Sequence, residues 1–122
     1  MTRWLVDGLN VIGSRPDGWW RDRPGAMRDL ARRLDEHANR TGDEVTVVFD
    51  GKPFELETET AKVLFASRRG PNAADDDIAA IVAGDEDPAT LRVVTSDSTL
   101  AERVRDQGAE VVTAGAFQRD LP

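Results

Sequence analysis

Three short apolar runs in this chain each close on an aspartate: Trp4-Leu5-Val6 on Asp7, Val45-Thr46-Val47-Val48-Phe49 on Asp50, and Leu91-Arg92-Val93-Val94-Thr95-Ser96 on Asp97. A run of four to six β-formers closed by a polar residue reads as a strand buried on both faces of a parallel sheet, the chain leaving the sheet at the carboxyl end. Open α/β sheets bind their ligands at that edge. On neighbouring strands about 4.8 Å apart, the three terminal carboxylates would stand within roughly 10 Å of one another. Carboxylates that close, away from bulk water, need protons or divalent cations to compensate them, and cations are the expectation.

The segments between these runs fix the rest of the architecture. Gly8 to Arg23, with Pro16, Gly18 and the pair Trp19-Trp20, reads as a long loop. Pro24 suits a helix start, and Met27, Leu30, Ala31, Leu34 and Ala38 recur at helical spacing until Gly42. A third, weaker strand is expected around Ala61 to Ala66, after a connection (Phe54 to Thr60) too short for a full helix. A helix over Ala73 to Ala83 carries Ile78, Ile81 and Val82 inward and Asp75, Asp76 and Asp77 in its first turn. Acids there complement the helix dipole, so any one of them has a structural explanation, but three in succession exceed what capping needs.

Gly84 to Thr90 reads as an acidic loop, the fourth strand runs to Thr95, and Thr99 with Glu102 makes a capping-box pattern for a helix ending near Gly108. Strand five spans Glu110 to Thr113, followed by a short tail. Alternating strands and helices predict a three-layer αβα sandwich on a five-stranded parallel sheet, residues 1–122 forming one domain. Right-handed crossovers and one topological switch give the strand order 3-2-1-4-5. That order sets Asp50, Asp7 and Asp97 on consecutive central strands, with the amino end of the Asp75 helix able to face the same edge.

Composition narrows the chemistry. There is no cysteine and one histidine, His37, so thiolate metal sites and cysteine nucleophiles are excluded and zinc is disfavoured. His37 lies within the amphipathic helix and reads as a surface or boundary residue rather than a ligand. Hard Mg²⁺ or Mn²⁺ suits an all-carboxylate set. A net charge of −7 argues against a protein that holds nucleic acid by being basic overall, so any polyanion must be bound locally. Positive charge is mostly arginine, clustered at Arg15, Arg21 and Arg23 and again at Arg68 and Arg69. Guanidinium forks suit phosphate oxygens and stack on bases. Trp19 and Trp20, between those arginines, are candidates for stacking on unpaired bases, with one of the pair expected in the core and the other partly exposed. The first strand starts almost at Met1 and no run is long enough to cross a membrane, which leads to the expectation of a cytoplasmic protein without membrane attachment.

Four blocks, Val6-Asp7-Gly8-Leu9-Asn10-Val11-Ile12, Val47-Val48-Phe49-Asp50-Gly51, Ala74-Asp75-Asp76-Asp77-Ile78 and Val94-Thr95-Ser96-Asp97, in that order over nearly the whole chain, resemble the NYN domain, specifically its YacP-like branch within the PIN-like nuclease superfamily. The resemblance implies a metal-dependent ribonuclease of PIN-like, Rossmannoid fold acting on RNA, with a Mg²⁺ or Mn²⁺ site. It implies Asp7 as the central ligand, Asp50, Asp75 and Asp97 completing the acidic cluster, Asp76 as a second-tier ligand, and Asn10 and Ser96 as polar assistants that orient phosphate or water. The plain alternative for those two is that Asn10 closes a turn and Ser96 caps a helix. Relatives often carry an acid directly after the isoleucine of the third block, where this chain has Ala79, which leaves open whether Asp76 or Asp77 supplements Asp75. Arg15, Trp19, Trp20, Arg21, Arg68 and Arg69 are the expected contacts to single-stranded RNA, and a homodimer that widens the RNA groove is compatible with so short a chain.

Other classes fit less well. A haloacid dehalogenase-like phosphatase needs Asp-x-Asp, where this chain reads Asp7-Gly8-Leu9, and a receiver domain needs a late lysine, absent beyond Lys62. The competing reading is a non-catalytic RNA-binding or scaffold module of the same fold.

Overall fold

The five expected strands form one parallel sheet in a computed structural model that describes all 122 residues. They are β1 (Arg3–Asp7), β2 (Glu44–Phe49), β3 (Lys62–Phe65), β4 (Leu91–Val94) and β5 (Glu110–Val112), in the spatial order β3-β2-β1-β4-β5. Register brings Asp7 opposite Val48 of β2 and Val6 opposite Val94 of β4, so the three central strands run out together at one edge.

Successive residues of each strand point to opposite faces, and both faces are covered. Leu5 and Val6, neighbours on β1, lie in two different core clusters. On one side, α2 (Arg23–Thr41) buries Met27, Leu30, Ala31, Leu34 and Ala38, the stripe its spacing predicts. Asp22 caps its start by accepting from the Gly25 N–H (3.0 Å), and Gly42 ends it at φ +75°. On the other side lie α3 (Ala73–Ala83), burying Ile78 and Val82, and α4 (Ser98–Asp106), burying Leu100 and Val104. Phe54 to Thr60 forms no helix and is held instead by Asp35, whose carboxylate accepts from the backbone N–H groups of Glu59, Thr60 and Ala61.

The structure corrects the sequence reading at three places. The stretch from Gly8 to Arg23 is not a long loop: Gly8–Gly13 forms a helix, α1, and Trp19–Arg21 a 3₁₀ turn. A helix of six residues is too short to nucleate in water, so it stands because Val11 and Ile12 are buried against the sheet. Thr99 is not the cap of α4: the Asp97 carboxylate occupies that position and accepts from the Leu100 N–H at 3.0 Å. The tail after β5 is also a helix, α5 (Ala114–Asp120), started by the Thr113 hydroxyl and anchored by Phe117 against Trp4, ring centroids 4.9 Å apart.

Gly8 is where α1 comes closest to the sheet. A Cβ there would sit 2.4 Å from two ring carbons of Phe49 and 3.0 Å from a methyl of Val47. Phe49 is wholly buried, so its ring has nowhere to withdraw. Gly8→Ala is therefore expected to cost about 1–3 kcal/mol, the range for overpacking a filled core, read as a lower urea midpoint at unchanged slope. An unchanged midpoint would show that α1 can lift from the sheet without loss.

Candidate active site

Asp7, Asp50, Asp75 and Asp97 are brought to the carboxyl edge of the sheet from four separate segments. Asp7 ends β1 and is 95% buried, with 5% of its surface accessible. Asp50 follows β2, Asp97 follows β4, and Asp75 lies in the first turn of α3. Their charges act on one another. Burial pushes the Asp7 carboxyl up to about 7, against the hydrogen bond from Thr95, and the charges of Asp75, Asp50 and Asp97 push in the same direction as burial. Asp75 is likewise raised, first by burial and then by Asp97 and Asp50.

Two of these carboxylates are fixed by helix starts. Asp50 Oδ1 accepts from the Ala74 N–H of α3 at 3.0 Å, and Asp97 Oδ1 caps α4 as above. Each keeps its second oxygen available, and helix amino ends stabilise the negative charge. Asp7 is held by Thr95, whose hydroxyl donates to Asp7 Oδ2 at 3.0 Å and accepts from the Asp97 N–H at 3.1 Å. Thr95 is 1% exposed and links two of the four acids through one oxygen.

Asn10 and Ser96 meet at the same edge. Asn10 Oδ1 accepts from the Ser96 N–H at 2.7 Å, and Ser96 Oγ accepts from the Ala114 N–H at 2.9 Å, so together they tie α1 to the end of β4 and β4 to α5. Asn10 lies within α1 and closes no turn.

The donor set consists of carboxylate oxygens, which fits a hard cation. No three or more His, Cys, Asp or Glu side chains are grouped closely enough to hold a metal ion.

The family model of the YacP-like NYN domain matches residues 4–122. The chain belongs to the YacP-like NYN family. Crystal structures of Rae1 (YacP) from Bacillus subtilis are similar to it. One, of a single-substitution mutant, has a TM-score of 0.82 at 29% identity, covering 98% of this chain and 74% of that one. Another has a TM-score of 0.81 at 28% identity, covering 98% and 73%. No curated protein matches the chain. NYN domains are nuclease-like and directed at RNA, and that coarse reading applies to this chain.

Within the NYN fold, the remaining candidates are dispersed. Asp76 is engaged by Arg68 and by Arg103 (2.8 Å), and these two arginines hold its carboxyl below the usual carboxylate range. Asp77 accepts from the backbone N–H and hydroxyl of Ser67 (2.6 and 2.8 Å), which fixes the loop before α3. Both acids are thus satisfied by the chain itself, whereas burial and neighbouring charges dominate at Asp75. Trp19 is half-buried against the core and Trp20 is 58% exposed, so neither is the core residue expected of one of the pair, because the 3₁₀ turn that carries them lies at the surface. Their rings meet edge to face at 6.0 Å, with Arg21 5.9 Å from the Trp20 ring and Arg23 5.4 Å from that of Trp19. Arg15 is exposed beside Asp17 at 3.6 Å, and Arg69 is exposed in the loop before α3. His37 packs between Trp4 and Phe117, 3.5 Å from Asp43, and belongs to the core boundary. No helix is long and apolar enough to cross a membrane.

Thr95 is the residue that sequence reasoning passed over in favour of its neighbour Ser96. Its signal was present: a hydroxyl closing the strand at a position the alternation turns inward, two residues before an acid.

Proposed function

We propose that this NYN domain is a metal-dependent ribonuclease that hydrolyses phosphodiester bonds in single-stranded RNA. The observation that carries the reading is the coupling of four carboxylates from four segments at one sheet edge, with the most buried of them, Asp7, pushed up to about 7. Folding alone does not favour such an arrangement, since each ionised neighbour raises the cost of the next. Asp7, Asp50, Asp75 and Asp97 are the residues to hold Mg²⁺ or Mn²⁺. Asp76, paired with Arg103 and Arg68, is not among the ligands proposed. When bound, such an ion polarises a phosphoryl oxygen and lowers the pKa of water.

The chain's own residues supply position. Thr95 orients Asp7, the α3 and α4 amino ends orient Asp50 and Asp97, and the Asn10–Ser96 link holds α1 in register with β4. The amide NH₂ of Asn10 remains to donate to phosphate. Trp20, Arg21, Arg15 and Arg69 supply stacking and charge along the strand, while Arg68 does so in exchange with Asp76.

The test is cleavage of an end-labelled single-stranded RNA with Mn²⁺, with Mg²⁺ and with excess chelator. Cleavage with either ion that chelator stops is the expected result, and cleavage products mapping inside the strand would make the action endonucleolytic. RNA binding without cleavage under every ion would replace this reading with the non-catalytic module.

A further inference from the structure

Beside the acidic edge, a groove of about 470 Å³ runs between the start of α2 and the loops that follow β2 and precede α3. Its size lies within the roughly 300–1,000 Å³ of pockets that take ligand-sized groups. Asp50, one of the four edge carboxylates, lines it, so whatever fills the groove lies next to the reacting centre.

The groove differs in character from the rest of this acidic protein. Arg23 and Lys52 line it, and neither takes part in a salt bridge. Met27 and Phe54 give it apolar wall. Phe54 is held by Phe65, ring centroids 5.5 Å apart, and by the Arg28 guanidinium 5.0 Å from its ring. Asn72 lines the groove at the position before α3, where a polar side chain ordinarily caps the helix. It does not cap: its backbone is left-handed (φ 62°) rather than extended, and Asp50 takes the Ala74 N–H. Its amide is left without that bond, in a pocket with an aromatic wall and two cations that no carboxylate neutralises, Lys52 and Arg23, the latter over the Trp19 ring.

We propose that this groove seats one unpaired nucleobase of the RNA strand, with Phe54 as stacking wall, Asn72 as the hydrogen-bonding group for the base edge, and Lys52 and Arg23 on the adjoining phosphates. An aromatic surface beside cations is how single-stranded nucleic acids are held, and an amide offers a donor and an acceptor to a base edge. A protein ligand would have to bring its own anion to both cations, whereas an RNA strand carries one at every residue. The inference deepens the ribonuclease reading by adding a base-binding subsite next to the scissile phosphate, and its test is separable from cleavage.

Binding of a fluorescein-labelled single-stranded RNA is measured by anisotropy in chelator, for a set of oligonucleotides each with one abasic position. Cleavage of the same set is measured in Mn²⁺. For the native protein, one abasic position is expected to weaken binding roughly tenfold, the scale of one stacked base, and the loss should fall below twofold in Phe54→Ala. Asn72→Gly, which suits the left-handed backbone at that residue (φ 62°), is expected to leave the fold unchanged and flatten any preference for the identity of that base. Lys52→Ala should lower the log–log salt slope by about 0.7, one phosphate contact on a single strand. Binding insensitive to every abasic position, an abasic loss that persists unchanged in Phe54→Ala, or no RNA binding at all would overturn the proposal. Position-dependent binding that Phe54→Ala removes, without cleavage, would sustain the groove and remove the nuclease reading.

Discussion

Asp7→Asn is expected to abolish metal-dependent RNA cleavage and, in the same protein, to raise its stability above pH 7. The first effect follows from the central place of Asp7 among four coupled carboxylates, and a loss of at least a hundredfold in rate is expected for removing the charge at a centre of this kind. The second follows from linkage. The Asp7 carboxyl is raised from 3.8 to about 7 in the folded protein, so between those values the native state binds a proton that the unfolded chain has released. Stability therefore falls as pH rises across that window, and the whole deficit is present above pH 7. That displacement corresponds to roughly 4 kcal/mol at most. Asn keeps an oxygen to accept from the Thr95 hydroxyl and carries no charge. Its gain in chelator should be near zero at pH 4 and grow to on the order of 2–4 kcal/mol at pH 8. Thermal melts of both proteins from pH 4 to pH 8, beside the cleavage assay, check it. A variant less stable than native at pH 8 would show that the Asp7 charge is compensated within the fold, and retained cleavage would remove Asp7 from the reaction.

Thr95→Val is expected to damage the site without removing any carboxylate. Valine matches the shape of threonine but leaves Asp7 Oδ2 without its donor and the Asp97 N–H without its acceptor. Leaving buried polar groups unpaired costs about 1–3 kcal/mol. Because the Thr95 hydrogen bond lowers the Asp7 pKa, its loss pushes that carboxyl higher still, and cleavage at pH 7 should fall by roughly 10–100-fold, as for groups that orient metal ligands. Activity should recover in part at higher pH. Thr95→Ser, which restores the hydroxyl, should return most of the rate and the pH profile. A purely structural role would lower stability and leave the pH profile in place, and the profile is therefore the measurement that decides.

Asp7, Asp50 and Asp97 were legible in sequence because each closes an apolar run, and a strand buried on both faces gives way to polar residues where the chain leaves the sheet. Asp76 and Asp77 were not separable from Asp75 in the same way. One helical step is about 100° of rotation, and which of three successive acids turns to the edge depends on partners distant in sequence: Arg103 and Arg68 for Asp76, Ser67 for Asp77. The base groove was invisible for a similar reason, being assembled from α2, the loop after β2 and the loop before α3.

What the sequence determined by itself was the set of local periodicities: five strands, α2 and α3, and through crossover handedness the order β3-β2-β1-β4-β5. Those signals repeat over several residues, so no partner is needed to read them. Tertiary structure alone decided α1 and α5, the replacement of Thr99 by Asp97 as the cap of α4, and the role of Thr95. Each rests on a single contact or a helix of at most seven residues, too brief to leave a period in the chain, and gains its free energy only when a residue such as Asp7, 88 positions from Thr95, has been folded against it.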